Sequence, residues 1–298
     1  MWTFGPVNSR RFGISLGIDL SPKQKSCNFD CVYCELEASK PVATIQDPPT
    51  PSEVVKEVKE QLKLHDNIEV ITITSNGEPT LYKELEELVD ELNKIKEDKK
   101  LLILSNASTI CDKKVQDALK KIDIVKLSLD CATKSCFKKI DRPLKELEFE
   151  TILSCMKDLS LKTLIIEILV VQGINDKEKE FEKLNKLLQN IKPARVDIGT
   201  IDRPPAYKVE KVSEDRLYEL SKLIKNIPVS LIRKHPPKTK QNFTKEKLLN
   251  LLKHRPQSQF DVDSFFSDDS KKLLEKLCHD GFVKIEDIGG VVFYEKVL

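Results

Sequence analysis

Two things are missing from this sequence before any motif is sought: an excess of charge of one sign, and a long apolar run. Its 298 residues carry 50 Lys and Arg against 48 Asp and Glu, a formal charge of +2. No global positive field exists to collect phosphates, which excludes the simplest nucleic-acid reading. The most apolar stretch, Leu164 to Val171, is broken by Glu167 and is far too short to cross a bilayer. Met1 to Leu20 lacks a basic segment followed by an apolar one, so no secretory signal is expected. No internal repeat or low-complexity tract is present beyond the Lys/Glu-rich helix surfaces. A hydrophobic content of 40% beside 33% charged residues can bury a core, which excludes wholesale disorder. The expectation is a soluble, cytoplasmic protein with no membrane partner, and its length suits one large domain or two modest ones.

What is present alternates. Ile68 to Thr74, Leu101 to Leu104, Ile122 to Leu129, Thr163 to Val171 and Arg195 to Ile201 read as strands, being rich in β-branched residues. Between them lie helical patterns, from Pro51 to Leu64, Glu84 to Ile95, Lys177 to Leu188 and Glu214 to Ile224. Alternation of this kind predicts parallel strands with crossover helices, an α/β barrel or open sheet with its chemistry in the loops after the strands. Around Arg233 to Gln241 the composition turns rich in proline and lysine, a linker over 233–242. Beyond it, Phe243 to Leu252, Phe260 to Phe266 and Ser270 to Cys278 read as helices, and Gly289-Gly290 as a hairpin turn between Phe282 to Ile288 and Val291 to Val297. Three helices and a hairpin over 243–298 look like a winged helix-turn-helix module, for nucleic acid or for protein contacts. From Gln241 onward nine Lys/Arg face ten Asp/Glu, a net of −1, and the third helix carries no basic stripe.

Eight cysteines without a signal peptide are expected as thiols or metal ligands rather than a disulfide framework. Cys27-Asn-Phe-Asp-Cys31-Val-Tyr-Cys34 packs three into one loop after the strand-like Gly13 to Leu20. Thiols at this density suit tetrahedral zinc or an iron–sulfur cluster. Zinc wants a fourth ligand, and none is nearby; a remote residue such as Cys131 would have to supply it. Three thiolates suit a cubane with one iron open. Cys131, Cys136 and Cys155 are expected as small buried hydrophobes, a second cluster being the alternative.

The Cys-x3-Cys-x2-Cys spacing, with Tyr33 just before the last cysteine, resembles the signature of the radical S-adenosylmethionine enzymes. Ser75-Asn-Gly-Glu-Pro-Thr80 resembles that family's Gly-Gly-Glu-Pro turn, with Asn76 in place of the first glycine and Gly77, Glu78 and Pro79 intact. Ser105-Asn106, Ser128-Leu129-Asp130 and Val171 to Asp176, with Ile174 and Asn175, match later cofactor-lining turns in the same order. The resemblance spans Phe4 to Ile232 and implies a partial (β/α)6 barrel, a [4Fe-4S] cluster on Cys27, Cys31 and Cys34, and S-adenosylmethionine as cofactor. It further implies that Glu78 receives the methionine ammonium, that Tyr33 packs on the adenine, and that a one-electron donor such as flavodoxin or ferredoxin is needed.

Phe4 to Gly13, Gly17-Ile-Asp19, Arg142-Pro143 and Arg203-Pro204-Pro205 are similar to a subgroup placed with the wyosine tRNA synthetases, which implies RNA, and tRNA in particular, as substrate. Modification of a protein or small molecule is the alternative within the class. Only Met1 to Ser26 precede the first cysteine, so that subgroup's second cluster is absent from its usual place. Arg10, Arg11, Arg142 and Arg203 are expected near the active end, where guanidinium forks clamp phosphate or carboxylate. A reading from another class is a metal-sensing regulator whose winged helix binds DNA.

Overall fold

Strands form where β-branched residues run together, and helices where apolar residues recur every third or fourth position. The computed structural model describes residues 1–9, 11–231, 240–288 and 291–297. Arg10, most of the expected linker and the Gly289-Gly290 turn lie outside these residues. The chain opens with β1 (Thr3–Ser9) and β2 (Gly13–Asp19), an antiparallel pair. From β2 onward every neighbour in the sheet is parallel: β3 (Val70–Thr74), β4 (Lys100–Ser105), β5 (Ile124–Ser128), β6 (Leu164–Val170), β7 (Arg195–Thr200) and β8 (Val229–Leu231), in sequence order.

The crossovers are α1 (Pro51–Leu64), α2 (Leu85–Ile95), α3 (Lys113–Lys120), the pair α4 (Lys134–Ile140) and α5 (Phe149–Lys157), α6 (Glu178–Ile191) and α7 (Glu214–Ser221). Six strand–helix units and a closing strand form the partial barrel expected. The start of α1 is fixed by Thr50, whose hydroxyl caps the Glu53 amide while Glu53 returns the bond, with Pro51 in the first turn. Burial of Val54, Val55 and Val58 on α1, and of Leu85, Leu88, Val89 and Leu92 on α2, seats both helices on the sheet. Strands β1 and β8 and helices α3 to α5 were not expected; Gly5-Pro6 interrupts the pattern of β1, and the others are short or lie in segments whose charged residues mask the periodicity.

The sheet does not close on itself, and Arg11 laces its two edges together. From the turn between β1 and β2, the guanidinium donates to the carbonyls of Ile198 on β7 and Ser230 on β8, at 3.3 and 3.2 Å. It also sits 3.3 Å from Glu167 and from the fully buried Asp197. Lys126 meets the same two acids and Arg195 pairs with Asp197, so three cations surround two anions. Burial pulls the Arg11 pKa down while Asp197 and Glu167 pull it up. This corrects the expectation that Arg11 lies at the active end. The turn that carries it precedes β2, so it stands at the N-terminal end of the parallel strands, opposite the cysteine loop.

After the undescribed segment come α8 (Lys245–His254), β9 (Gln257–Ser258), α9 (Gln259–Phe265), α10 (Asp268–His279) and the hairpin β10 (Val283–Ile288) and β11 (Val291–Lys296), with strand order β10-β11-β9. This unit is no free appendage. Its core of Phe243, Leu248, Leu251, Leu252, Val262, Phe265 and Phe266 includes Val7 and Ile14 from the first hairpin of the barrel.

Candidate active site

Strand β2 ends at Asp19 and delivers the chain into a long loop that carries Cys27, Cys31 and Cys34. Backbone bonds pin this loop from two sides. Asp30 and Val32 donate to the carbonyls of Asp141 and Ile140, and Leu144 donates to that of Asn28. On the other side Ser26 donates to the Asn76 carbonyl at 2.8 Å, and Glu78 donates to the Ser26 carbonyl at 2.9 Å. Between those two bonds lies Gly77, at φ 140°. A Cβ there would stand 1.9 Å from the Ser26 oxygen, so only glycine lets the two loops meet.

Nitrogen donors converge on the sulfurs. The Phe29 amide lies 3.4 Å and the Asn106 amide nitrogen 3.6 Å from Cys27 Sγ; Lys25 Nζ lies 3.6 Å from Cys34 Sγ. Burial pushes the Cys27 thiol up to about 12 and raises those of Cys31 and Cys34, with Lys25 opposing the rise at Cys34. Metal binding therefore displaces protons from these groups. The other cysteines correct the expectation of free thiols. Cys111 pairs with Cys155 and Cys131 with Cys136, at Cα separations of 5.4 and 5.6 Å, within disulfide reach. Neither Cys131 as a zinc ligand nor a second cluster on Cys131, Cys136 and Cys155 is available in this state. Among the described residues the free cysteines are the three of the loop and Cys278, which lies in α10. Three thiols with surrounding N–H donors fit a cubane cluster with one open iron.

Glu78 is the hub of the neighbouring turn. Its buried carboxylate accepts from the Thr80 amide and hydroxyl, the Ser105 hydroxyl and the Asn106 amide, at 3.0, 2.6, 2.7 and 2.7 Å. Desolvation raises its pKa and these four donors hold it down. Ser105 and Asn106 thus meet Glu78 directly, and Pro79 opens a single 3-10 turn behind it. Tyr33 donates to Asp130 at 2.5 Å, while the other oxygen of Asp130 accepts from the Leu169 amide. Burial raises Asp130 to about 7.

Asn175 is fully buried and spends its amide on the carbonyls of Asp130 and Leu169 and the amide of Val171. It is a strut behind the turn after β6, where a cofactor contact was expected. Ile174 packs on the core beside it, and Ser128 lines a small separate cavity with Asn106 and Asp130.

A cavity of about 470 Å³ runs from the cysteine loop down the barrel interior. Tyr33, Cys34, Ser75, Asn76 and Gly77 line its upper end, and Arg11, Phe12, Lys126 and Glu167 its floor. The Ser75 hydroxyl is buried without a partner among the described residues, an orphan that suits a bound polar ligand. Arg203 lines the upper wall, but its guanidinium is held by the Pro256 carbonyl and by Glu35, each at 3.0 Å. Arg142 lies off the cavity, over the Tyr207 ring at 4.2 Å and near Asp30, where it braces the cysteine loop. Sequence reasoning missed His254 and Arg255, which the C-terminal unit adds to the cavity wall. Nothing in their local pattern marks them.

Residues 21–186 match the Radical SAM superfamily. A UPF0026 protein of Helicobacter pylori strain J99 is 38% identical over 98% of this chain and 96% of its own. The chain belongs to the Radical SAM superfamily. It is also 32% identical, over 98% of its length, to a region covering 44% of a Brachyspira hyodysenteriae protein described as GTPase Obg.

Solved structures agree on the fold. TYW1 with a bound lysine-pyruvate adduct gives a TM-score of 0.54 at 20% identity, over 72% of this chain and 74% of that one. Streptococcus suis SuiB bound to the precursor peptide SuiA gives 0.58 at 16%, over 74% and 48%. The protein is a radical SAM enzyme, which uses a [4Fe-4S] cluster and S-adenosylmethionine and needs a one-electron donor. Membership in this enzyme class overturns the reading as a metal-sensing regulator. Among the described residues no helix is long and apolar enough to cross a membrane.

Proposed function

We propose that this radical SAM enzyme modifies an RNA base, in tRNA or rRNA, held at the cavity mouth by the C-terminal unit. When bound, the cluster supplies the electron that breaks the sulfonium of S-adenosylmethionine and yields a 5′-deoxyadenosyl radical. The chain's own residues then divide the work. Cys27, Cys31 and Cys34 hold the cluster, and the turn from Asn76 to Pro79 faces the cysteine loop. Ser105, Asn106 and Glu78 lock that turn to the end of β4, and Tyr33 is fixed by Asp130 at the cavity wall.

The observation that carries the substrate reading is the place of the C-terminal unit. Its order of helix, strand, two helices and hairpin suits the winged helix-turn-helix reading, and its residues His254 and Arg255 form part of the cavity wall. Whatever this unit grips is presented to the radical. A cavity of about 470 Å³ has room for one small ligand and little more, so a macromolecular substrate can insert only a single group. Enzymes that act on bases extrude them in this way, and Tyr33 on the cavity wall offers an aromatic ring for stacking. A flavodoxin- or ferredoxin-type protein would supply the electron.

The test begins with anaerobically reconstituted protein, S-adenosylmethionine and a strong reductant. 5′-Deoxyadenosine is expected, and none from Cys31→Ala, because two thiolates cannot hold a cubane. Adding tRNA or rRNA should then accelerate its release and leave a new nucleoside in the digested RNA. Acceleration by a peptide fraction that survives ribonuclease would replace RNA with a protein substrate.

A further inference from the structure

The last helix turn of α8 places His254 against the end of β2. Its Nδ1 donates to the Asn250 carbonyl at 2.8 Å, and its Nε2 meets Asp19 Oδ2 at 2.6 Å. Both side chains are buried, at 9% and 2% exposure. The ring lies flat on Phe4, with centroids 4.9 Å apart and planes within 2°. Phe4 in turn covers Gly17 so closely that a Cβ there would stand 2.2 Å from the ring. His254 is therefore fixed on three sides.

What Asp19 does with its other oxygen gives the contact its meaning. Asp19 Oδ1 accepts from the Ser21 amide at 2.8 Å and from the Asn76 amide at 2.7 Å. Asn76 is the residue that accepts from Ser26, one position before the first cysteine. A continuous run of hydrogen bonds thus leads from α8 through Asp19 to the turn at Asn76 and the cysteine loop. Neighbouring contacts tie the same seam: Arg203 donates to the Pro256 carbonyl, Asn250 to that of Thr3 and Lys253 to that of Pro22.

We propose that His254 is a positioning residue for S-adenosylmethionine binding, acting through Asp19 on the Asn76–Gly77 turn, so that the seating of the C-terminal unit sets the cofactor site. The inference rests on the radical SAM class and not on the RNA substrate. A buried carboxylate takes its orientation from its donors. Losing one of two opposed sets lets Asp19 swing and frees the Asn76 amide. A unit that shifts on gripping its substrate would reach the cofactor turn by this route.

The test uses full-length protein with two substitutions. His254→Phe keeps the ring on Phe4 and removes both ring nitrogens; His254→Gln keeps a polar group within reach of Asp19. In cluster-free protein, hydrogen exchange at the Asn76 amide should rise about tenfold in His254→Phe and return toward wild type in His254→Gln. In reconstituted protein, the dissociation constant and KM for S-adenosylmethionine should rise by about the same factor, with iron content and the rate at saturation little changed.

Unchanged Asn76 exchange in a folded His254→Phe protein would overturn the proposal. Loss of iron in parallel with affinity would also overturn it, since His254 would then serve only the folding of the cysteine loop. Should His254→Phe not fold, Asp19→Asn, which alters the same link from the other side, must raise Asn76 exchange or the proposal fails. Wild-type protein that assembles a cluster but yields no 5′-deoxyadenosine would count against the class and leave the exchange result standing.

Discussion

Replacing Gly77 by alanine should disable the cofactor site while leaving the barrel folded. The added Cβ would lie 1.9 Å from the Ser26 oxygen and 3.0 Å from the Cys27 amide nitrogen. A carbon and an oxygen in contact stay about 3.3 Å apart, so Ser26 must retreat by roughly 1.4 Å. Ser26 and Gly77 are bridged, so its retreat breaks the paired bonds to Asn76 and Glu78 and drags Cys27 with it. Backbone at φ 140° adds about 1–3 kcal/mol of strain for any residue with a side chain. Misplacement by about 1 Å at a reacting centre can cost roughly a hundredfold, so kcat/KM for 5′-deoxyadenosine release should fall by about that factor.

Gly173→Ala is the matched control. Its φ is 72°, yet nothing lies within 4 Å of the added carbon, so it should cost about 1 kcal/mol of stability and leave cleavage intact. The assay is chromatographic quantitation of 5′-deoxyadenosine with thermal melts of both variants. Gly77→Ala turning over like Gly173→Ala would refute the reasoning.

Three further outcomes follow from buried groups. Glu78→Gln turns one acceptor into a donor facing the Asn106 amide or the Thr80 and Ser105 hydroxyls. It should cost about 1–3 kcal/mol in urea unfolding, and an unchanged midpoint would show that the carboxylate is not the hub described. Arg11→Met cuts the lacing between β2 and β8 and leaves the buried Asp197 to Lys126 and Arg195. A loss of about 2–3 kcal/mol is expected by denaturant titration, and no loss would mean the sheet edges hold without it. Deleting residues 241–298 uncovers Val7 and Ile14 and removes one wall of the cavity, so cofactor cleavage should drop even where the barrel still melts cooperatively. Wild-type cleavage by the truncated protein would show the unit to be a docking device alone.

The division between sequence and structure follows physical range. Alternating β-branched runs and amphipathic helices report local conformation and burial, so the strands from Ile68 to Ile201 and the helices α1, α2, α6 and α7 were legible, while α3 to α5 were not. The cysteine loop and the Gly77-Glu78-Pro79 turn were legible because cluster chemistry and close backbone approach demand those residue types at those spacings. Long-range pairing was not. Cys111 and Cys155 are 44 residues apart, and no local pattern announces their contact. The same holds for Arg11, whose partners on β7 and β8 lie 187 and 219 residues away. Arg11 reads as an arginine beside an active-site strand until topology shows which end of that strand it occupies. Glu78 reads as a ligand for an ammonium, and no local pattern shows the donors from Ser105 and Asn106 that also hold its carboxylate. His254, in a helix with ordinary spacing, says nothing about Asp19, 235 residues earlier. The sequence by itself determined the chemistry this chain can hold; only tertiary structure decided that the C-terminal unit closes the cavity, because burial of Val7, Ile14 and Asp19 against α8 depends on surfaces that no local segment contains.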